Sequence, residues 1–402
     1  MLSSRIQRRS LIAGLMATPL AGLTARSQDT SPVKIGVLTD ASGPYADSGG
    51  PGSVLAARMA VAEFGGTVLG RNIEILLGDT QNKPDIAGSL ARQWYDTNAV
   101  DAITDLPVTP VAAAVLQVAR EKNRTVMITA SAVSEFTSKL CSPISTHWAD
   151  DTHALTYGTA AEVVRQGGKS WFFITVDFTF GRALEASAKA VIEANGGKVL
   201  GSAYFPIGNA DFASQLVQAQ SSGAEVIGLA AVGSDQVNVI KQAAEFGLSR
   251  NGKQRLAGFL IYITDIHALG LPTTQGLTLS SGFYWDQNAA ARSFAKPFSA
   301  SRGAMPTKNQ ASVYAATLHY LKAMAQAGTR DAIAVNKAMR ALPVDYFGHP
   351  ASVRPDGRVL YDLTLYRVKS PEQSKGAWDY YAPIGTIPAA AAFLPMNAAC
   401  AV

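Results

Sequence analysis

The sequence predicts an α/β protein built as two doubly wound parallel-sheet lobes, and three observations predict it. From Val33 onward, short apolar runs alternate with segments of helical spacing. The same alternation begins again at Ser170. In each series the first helix ends on a Gly-Gly pair before a strand, in "EFGGTVLG" (Glu63–Gly70) and "ANGGKVLG" (Ala194–Gly201). Alternation of this kind implies right-handed crossovers and a parallel sheet covered on both faces. Paired glycines suit the left-handed backbone that ends a helix.

In the first series, residues 34–38, 72–77, 102–104 and 125–128 read as strands, with helices at 53–64, 84–97 and 110–121. The second series places strands at 170–176, 198–205, 225–230 and 255–263, with helices at 180–193, 211–221 and 236–246. Helices follow at 289–302, 309–328 and 332–342, then a hairpin whose turn is "RPDGR" (Arg354–Arg358). The Pro/Ala-rich tail "YYAPIGTIPAAAAFLPMNAACAV" is expected to pack as irregular surface structure. Crossings between lobes fit near His147–Thr152 and near Trp285. They place lobe 1 at residues 32–148 plus 286–342, lobe 2 at 149–285 plus 343–370, and the tail at 371–402.

The chain has 402 residues, 48% apolar and 16% charged, a globular composition large enough for two cores. Its first 27 residues stand apart. They carry basic residues, an apolar run from Leu11 to Leu23 and then small residues, the layout of an export signal. The Arg8-Arg9 pair suggests the twin-arginine route, with ordinary secretion as the alternative. No later apolar run approaches the roughly 20 residues of a membrane span. Removing residues 1–27 takes away four arginines and no acid, so the formal charge falls from +5 to +1. The mature chain therefore has no basic excess for nucleic acid or an anionic membrane surface. The two cysteines, Cys141 and Cys400, have no zinc-type spacing. In an oxidising compartment they could pair and pin the tail, or remain two separate thiols.

"VKIGVLTDASGPYADSGGPGSVLAARMAV" (Val33–Val61) opens like a nucleotide site, with strand, glycines and helix. In a dinucleotide fold, however, the glycines follow the strand directly, whereas here the loop from Thr39 to Gly49 intervenes. There is no P-loop and no G-x-S-x-G nucleophile elbow. "HWADDTH" (His147–His153) could ligate a metal, but Asp150, Asp151 and Thr152 suit the cap of the following helix. The reading is thus no catalytic residue, no metal and no cofactor. The loops at the carboxyl ends of the strands, where open α/β sheets bind ligands, offer hydroxyls, helix starts and aromatic rings. The rings are Tyr45, Trp148, Phe178, Phe180 and Tyr262.

At these loops the chain resembles the periplasmic binding proteins of branched-chain amino acid type ABC importers. "KIGVLTDASGPYADSG" is similar to that family's first strand and Gly-Pro loop, and "GRNIEILLGDTQNKPDIA" to its second strand and helix start. "VMITASAVSEFT", "DFTFGRALEASAKAVIEANGGKVLG" and "DFASQLVQAQSSGAEVIGLA" continue the likeness in order, over roughly Val33 to Val368. The resemblance implies two lobes joined by a hinge of three crossovers, closing on one small ligand. It implies that the ligand carboxylate meets Leu106–Thr109 and Ser131–Val133, and an aromatic wall at Phe180. Val133 stands where the amino acid binders carry Thr. Asp265 is the acid nearest the family's ammonium partner, without the usual Gly-Pro-Glu before it, and Ser48 replaces the aromatic of the first loop. The implied partners are a small carboxylate-bearing ligand and membrane permease subunits, with no nucleic acid, for a non-catalytic monomer in the periplasm. The ligand is expected to be an aromatic or other organic acid, or a branched-chain or hydrophobic amino acid. A ligand sensor of the same fold and an exported α/β enzyme are the alternatives.

Overall fold

The computed structural model describes residues 1–2, 31–248, 254–398 and 400. Apart from Met1 and Leu2, the expected export signal lies outside the described residues. The first lobe opens with β1 (Val33–Thr39), α1 (Gly50–Phe64), β2 (Thr67–Val68), β3 (Arg71–Asp79) and α2 (Pro84–Asp96). It continues with β4 (Ala102–Asp105), α3 (Thr109–Lys122), β5 (Thr125–Ile128) and β6 (Ser145–His147). Next come α4 (Thr152–Arg165), β7 (Ser170–Val176), α5 (Thr179–Ala194), β8 (Lys198–Phe205), α6 (Ala213–Ser221) and β9 (Val226–Ala230). α7 (Gly233–Glu245), β10 (Arg255–Gly258), α8 (Ile263–Leu269), α9 (Leu271–Thr274) and β11 (Thr278–Ser281) complete that stretch. The chain then forms α10 (Ala289–Arg302), α11 (Lys308–Ala327), α12 (Ala332–Ala341), β12 (Val344–Tyr346) and β13 (His349–Val353). It ends with β14 (Val359–Leu360), β15 (Leu363–Val368), β16 (Tyr381–Ile387) and α13 (Ala389–Ala392).

Two sheets carry the architecture. The first has the order β2-β3-β1-β4-β5-β6 and the second β10-β9-β7-β8. β1 pairs in parallel with both β3 and β4, and β7 with both β8 and β9. Each sheet therefore reverses its winding beside its own first strand, which opens a crevice at the strands' carboxyl ends.

Alternation along the strands feeds two faces. Val33, Ile35 and Val37 share a core with Val54 of α1 and Ala315 of α11, while Leu38 joins Ala91 of α2 and Val111 of α3. In the second sheet Trp171 and Phe173 pack with Leu184 and Ile192 of α5. Phe172 and Ile174 pack with Leu216 of α6 and Val239 of α7. Each such side chain stabilises the fold by roughly 1.5–3 kcal/mol. Among the described residues no helix is long and apolar enough to cross a membrane.

The glycines of the first loop serve packing. Gly50 has φ +53°, and its N–H donates to Thr39 Oγ1 at 2.8 Å. A Cβ on Gly52 would stand 2.2 Å from Gln310 Nε2, so the glycine lets α1 lie close against α11.

Two expectations need correction. The strand expected over 255–263 stops at Gly258, because Asp265 accepts the Tyr262 N–H at 2.8 Å and a helix begins there instead. The tail is not wholly irregular: Tyr381–Ile387 forms β16, antiparallel to β15. Pro383 is tolerated because β16 is an edge strand, and the register skips Ile384 between the pairs Leu365↔Gly385 and Tyr366↔Pro383. The hairpin strands β12–β14 bury Val344, Tyr346, Val353 and Val359 in a core that α11, α12, β15 and β16 share. Cys141 and Cys400 are joined as a disulfide, with Cα atoms 5.9 Å apart.

Candidate ligand-binding site

Between the two sheets lies a narrow cavity of about 20 Å³. Loops of both sheets contribute to it. Tyr45 and Ser48 come from the loop after β1, Pro107, Val108 and Thr109 from that after β4, and Ala130 and Ala132 from that after β5. The other sheet adds Phe178 and Phe180 after β7, Val232 after β9, and Leu260 and Tyr262 after β10. Asn309, in the first turn of α11, completes the lining.

Helix starts dominate its electrostatics. Val108, Phe178, Val232 and Tyr262 are the residues immediately before α3, α5, α7 and α8. Among the described residues no side chain caps α3, α5 or α7, and the residue before each of these helices lines the cavity, so three helix starts border one apolar space. Each helix start carries about half a positive charge and favours an anion. Among the described residues no Asp, Glu, Lys, Arg or His lines the cavity.

The polar side chains are held in place from behind. Ser131 Oγ donates to Thr109 Oγ1 at 3.3 Å, and the Ser131 carbonyl bonds His147 Nε2 at 2.7 Å. Asn309 Nδ2 donates to the Tyr262 hydroxyl at 2.9 Å. Asp40 accepts from Gly43 N–H, Tyr45 N–H and Asn82 Nδ2, which fixes the loop that carries Tyr45. Thr307 Oγ1 donates to the Ser48 carbonyl at 2.6 Å. Burial drives both the Tyr45 and Tyr262 phenols well above their ordinary range, so both stay neutral. The rings of Phe178 and Phe180 lie tilted with centroids 6.1 Å apart.

Asp105 and Leu106 enter the β4 loop with φ +80° and +66°. Two consecutive non-glycine residues in the left-handed region are strained, a feature that clusters at ligand clamps. They turn the chain so that Pro107–Thr109 reaches the cavity. Leu106 itself is fully buried and its N–H donates to the Leu38 carbonyl.

Five of the residues chosen from sequence line the cavity: Tyr45, Thr109, Phe178, Phe180 and Tyr262. Five do not. Leu106 lies beneath the loop, Ser131 stands behind Thr109, and Val133 packs in the core. Trp148 is sealed in the first crossing, its Nε1 donating to Thr146 Oγ1 and its ring edge-on to His319. Asp265 is turned away to accept the Tyr262 N–H. Pro107, Val108 and Ala132 fall within the two stretches that the resemblance named, whereas Ala130, Val232, Leu260 and Asn309 were not singled out. Asn309 had a local signal, since Thr307 and Gln310 form the capping box that starts α11. The "HWADDTH" side chains diverge: Asp151 caps α4, His147 meets Arg358 and Ser131, and His153 bonds the Ala392 carbonyl.

The chain matches known proteins over nearly the whole of this architecture. A periplasmic binding protein from Burkholderia mallei is 43% identical, with 92% of this chain and 98% of that one covered at a TM-score of 0.89. A branched-chain amino acid ABC transporter periplasmic ligand-binding protein from Burkholderia xenovorans LB400 is 36% identical, with 92% and 100% covered and a TM-score of 0.82. A solute-binding protein of an ABC transporter from Rhodopseudomonas palustris BisB5, in complex with 3,4-dihydroxybenzoic acid, shares the fold at 20% identity, TM-score 0.80, with 90% and 98% covered. No curated protein matches the chain. The family model described as periplasmic binding protein matches residues 32–377, which take in both sheets and every loop of the cavity. The chain therefore belongs to the periplasmic binding protein family.

Proposed function

We propose that this protein is the exported solute-binding component of an ABC importer, and that it captures a small carboxylate with an apolar or aromatic body. One observation carries the reading: among the described residues, three helix starts without side-chain caps border an aromatic cavity that no charged side chain lines. A carboxylate placed there takes N–H bonds from helix starts and a hydroxyl bond from Thr109, whose Oγ1 accepts from Ser131 and keeps its own hydrogen to donate. An α-amino acid would bring an ammonium as well. Burying that charge among helix N-termini without an acid costs several kcal/mol, and Asp265 is occupied elsewhere. The apolar walls of Val232, Leu260, Phe178 and Phe180 cover the ligand's body.

In this reading residues 1–27 direct export by the general or the twin-arginine route, and the mature protein works as a monomeric, non-catalytic receptor. The lobes comprise residues 32–148 plus 286–342 and residues 149–285 plus 343–370, followed by the tail at 371–402. Closure about the three crossings delivers the loaded cavity to permease subunits.

Calorimetric titration of the mature protein with benzoate and with leucine tests the ligand class. Benzoate should bind at a single site, leucine at least tenfold more weakly, and Asp265→Asn should leave benzoate binding unchanged within twofold. Tight leucine binding that Asp265→Asn abolishes, with no binding of benzoate, overturns the reading.

A further inference from the structure

Asn309 and Tyr262 belong to opposite jaws of the cavity. Asn309 lies in the first turn of α11, which packs with α1 in the core of the first sheet. Tyr262 immediately precedes α8, whose Ile263 and Ile266 pack in the core of the second sheet. Asn309 Nδ2 nevertheless donates to the Tyr262 hydroxyl at 2.9 Å, so one hydrogen bond crosses from jaw to jaw at the cavity wall. Both residues are nearly sealed from water, at 5% and 4% exposure. Opening the jaws exchanges this bond for bonds to water, and the balance of that exchange favours the closed form modestly.

Each partner is held by its own side. Lys308 Nζ pairs with Asp150 at 3.2 Å, Thr307 Oγ1 donates to the Ser48 carbonyl, and Gln310 Nε2 donates to the Gly49 carbonyl at 3.0 Å. The turn that carries Asn309 is thereby fixed to the first crossing and to the first loop. On the other jaw the Asp265 carboxyl accepts the Tyr262 N–H at 2.8 Å, which sets the backbone that carries the ring. Lys308 Nζ stands 5.8 Å from the centroid of that ring, a cation–π attraction across the same divide. Groups positioned in advance lose little freedom when they bond. The bond is made wholly by the protein's own side chains.

We propose that Asn309 and the Tyr262 hydroxyl form a latch between the jaws, two positioning groups that set how long the clamp stays shut whichever acid it holds. This rests on the reading of the cavity as a carboxylate clamp. A latch forms after encounter, so it slows release and leaves capture unchanged. It also biases the ligand-free protein toward the closed form, because the ligand is not one of its partners. A direct ligand contact behaves otherwise: its contribution varies with the shape of the ligand, and the two residues then act separately.

The test compares the mature wild type with Tyr262→Phe, Asn309→Ala and the double variant. Titration and stopped-flow release, with benzoate and phenylacetate as probes, give affinity and dissociation rate. Each single variant should bind both acids about threefold to tenfold more weakly, the range expected for one buried hydrogen bond. The loss should lie in the dissociation rate, and the double variant should be no worse than the weaker single variant, the non-additivity of a shared bond. Small-angle scattering of the ligand-free proteins is the second measurement, and both single variants should show a larger radius of gyration than wild type. Additive losses, a loss that differs by more than about threefold between the two acids, or affinities equal to wild type overturn the latch, and so do equal radii. If neither acid binds wild type, the carboxylate reading of the cavity fails, and the scattering comparison still decides the latch because it needs no ligand.

Discussion

Lys308 Nζ lies 3.2 Å from Asp150 Oδ2, and both side chains are almost wholly shut off from water, at 6% and 2% exposure. The two partners are not equivalent. Asp150 also accepts from the Tyr361 hydroxyl at 2.9 Å and from the Gly282 N–H at 3.2 Å. One carboxylate thereby ties together the three segments that pass between the sheets. Among the described residues Lys308 Nζ has no other acceptor.

That asymmetry sets the order of two variants. Asp150→Asn leaves a buried ammonium with no counter-charge, and breaking a buried pair in this way costs about 3–5 kcal/mol. Lys308→Met leaves a carboxylate that keeps two donors, and should cost about 1 kcal/mol. Combining the two should recover much of the loss, because an apolar side chain then faces a neutral amide. Chemical denaturation of the three variants measures this. Equal losses in the two single variants, or strict additivity in the double, would refute it.

Gly233 meets the opposite lobe at a distance that leaves no room for a side chain. It has φ +62° at the start of α7, and a Cβ there would stand 2.8 Å from the Pro44 carbonyl and 3.0 Å from the Tyr45 ring. Left-handed strain penalises alanine in any arrangement of the lobes, but the clash arises only while α7 abuts the first loop. Gly233→Ala should therefore weaken ligand binding by roughly tenfold or more, on the order of the 1.4 kcal/mol that a tenfold change represents. The unliganded protein should lose only about 1 kcal/mol of stability. Titration and thermal unfolding read the two effects separately, and unchanged affinity counts against a closed-state contact.

Much of the fold was legible because periodicity reports burial. Val33, Ile35 and Val37 alternate as a strand must, and the Ala- and Leu-rich segments repeat at helical spacing. Helix starts were legible too, since Thr307 and Gln310 announce α11 locally. What sequence could not supply was the direction in which a loop side chain points. Asp265 and Tyr262 are three residues apart in one loop, yet one turns back to bond the other's N–H while the second faces the cavity. Trp148 has the composition of a ligand wall, but it is consumed by the crossing, where its indole finds Thr146. Asn309 reaches the site only because α11, far along the chain, lies against α1 and faces Tyr262. The tail misled for a related reason: Pro383 argues against a strand unless the strand lies at an edge.

The disulfide between Cys141 and Cys400 spans 259 residues of chain but holds little of the core. Residues before it are already tied, by Arg354 donating to the Leu394 carbonyl and by His153 bonding the Ala392 carbonyl. Reduction should thus free chiefly the stretch after Leu394. We expect Cys141→Ser with Cys400→Ser to gain a protease-sensitive site beyond Leu394 and to lose about 1–3 kcal/mol, below the ~5 kcal/mol that closing so long a loop would give in a fully unfolded reference. Ligand affinity should stay within twofold, because neither cysteine lines the cavity. Limited proteolysis followed by mass spectrometry locates the cut; cleavage within the second sheet instead would mean that the bond supports the lobe.

The last prediction follows from Asp265. Burial pushes its carboxyl up to about 7, against an ordinary value of 3.8. The folded protein therefore keeps this proton at pH values where the unfolded chain has released it. The stabilising contribution is fully present below pH 3.8 and is lost as pH rises through about 7. Each unit of separation is worth roughly 1.4 kcal/mol, so a few kcal/mol drain away across that window. His147 works in the opposite sense: burial, then the charge of Arg358, holds its imidazole well below its usual range, and its contribution grows as pH approaches 6.5. A pH profile of the wild type alone would mix the two. The difference between Asp265→Asn and wild type isolates Asp265, because the amide oxygen can still accept the Tyr262 N–H but does not ionise. Denaturant titrations at pH 4 and pH 7.5 should show the variant gaining on the wild type by a few kcal/mol at the higher pH. A difference that stays constant between the two would mean that Asp265 is ionised throughout and that water reaches it.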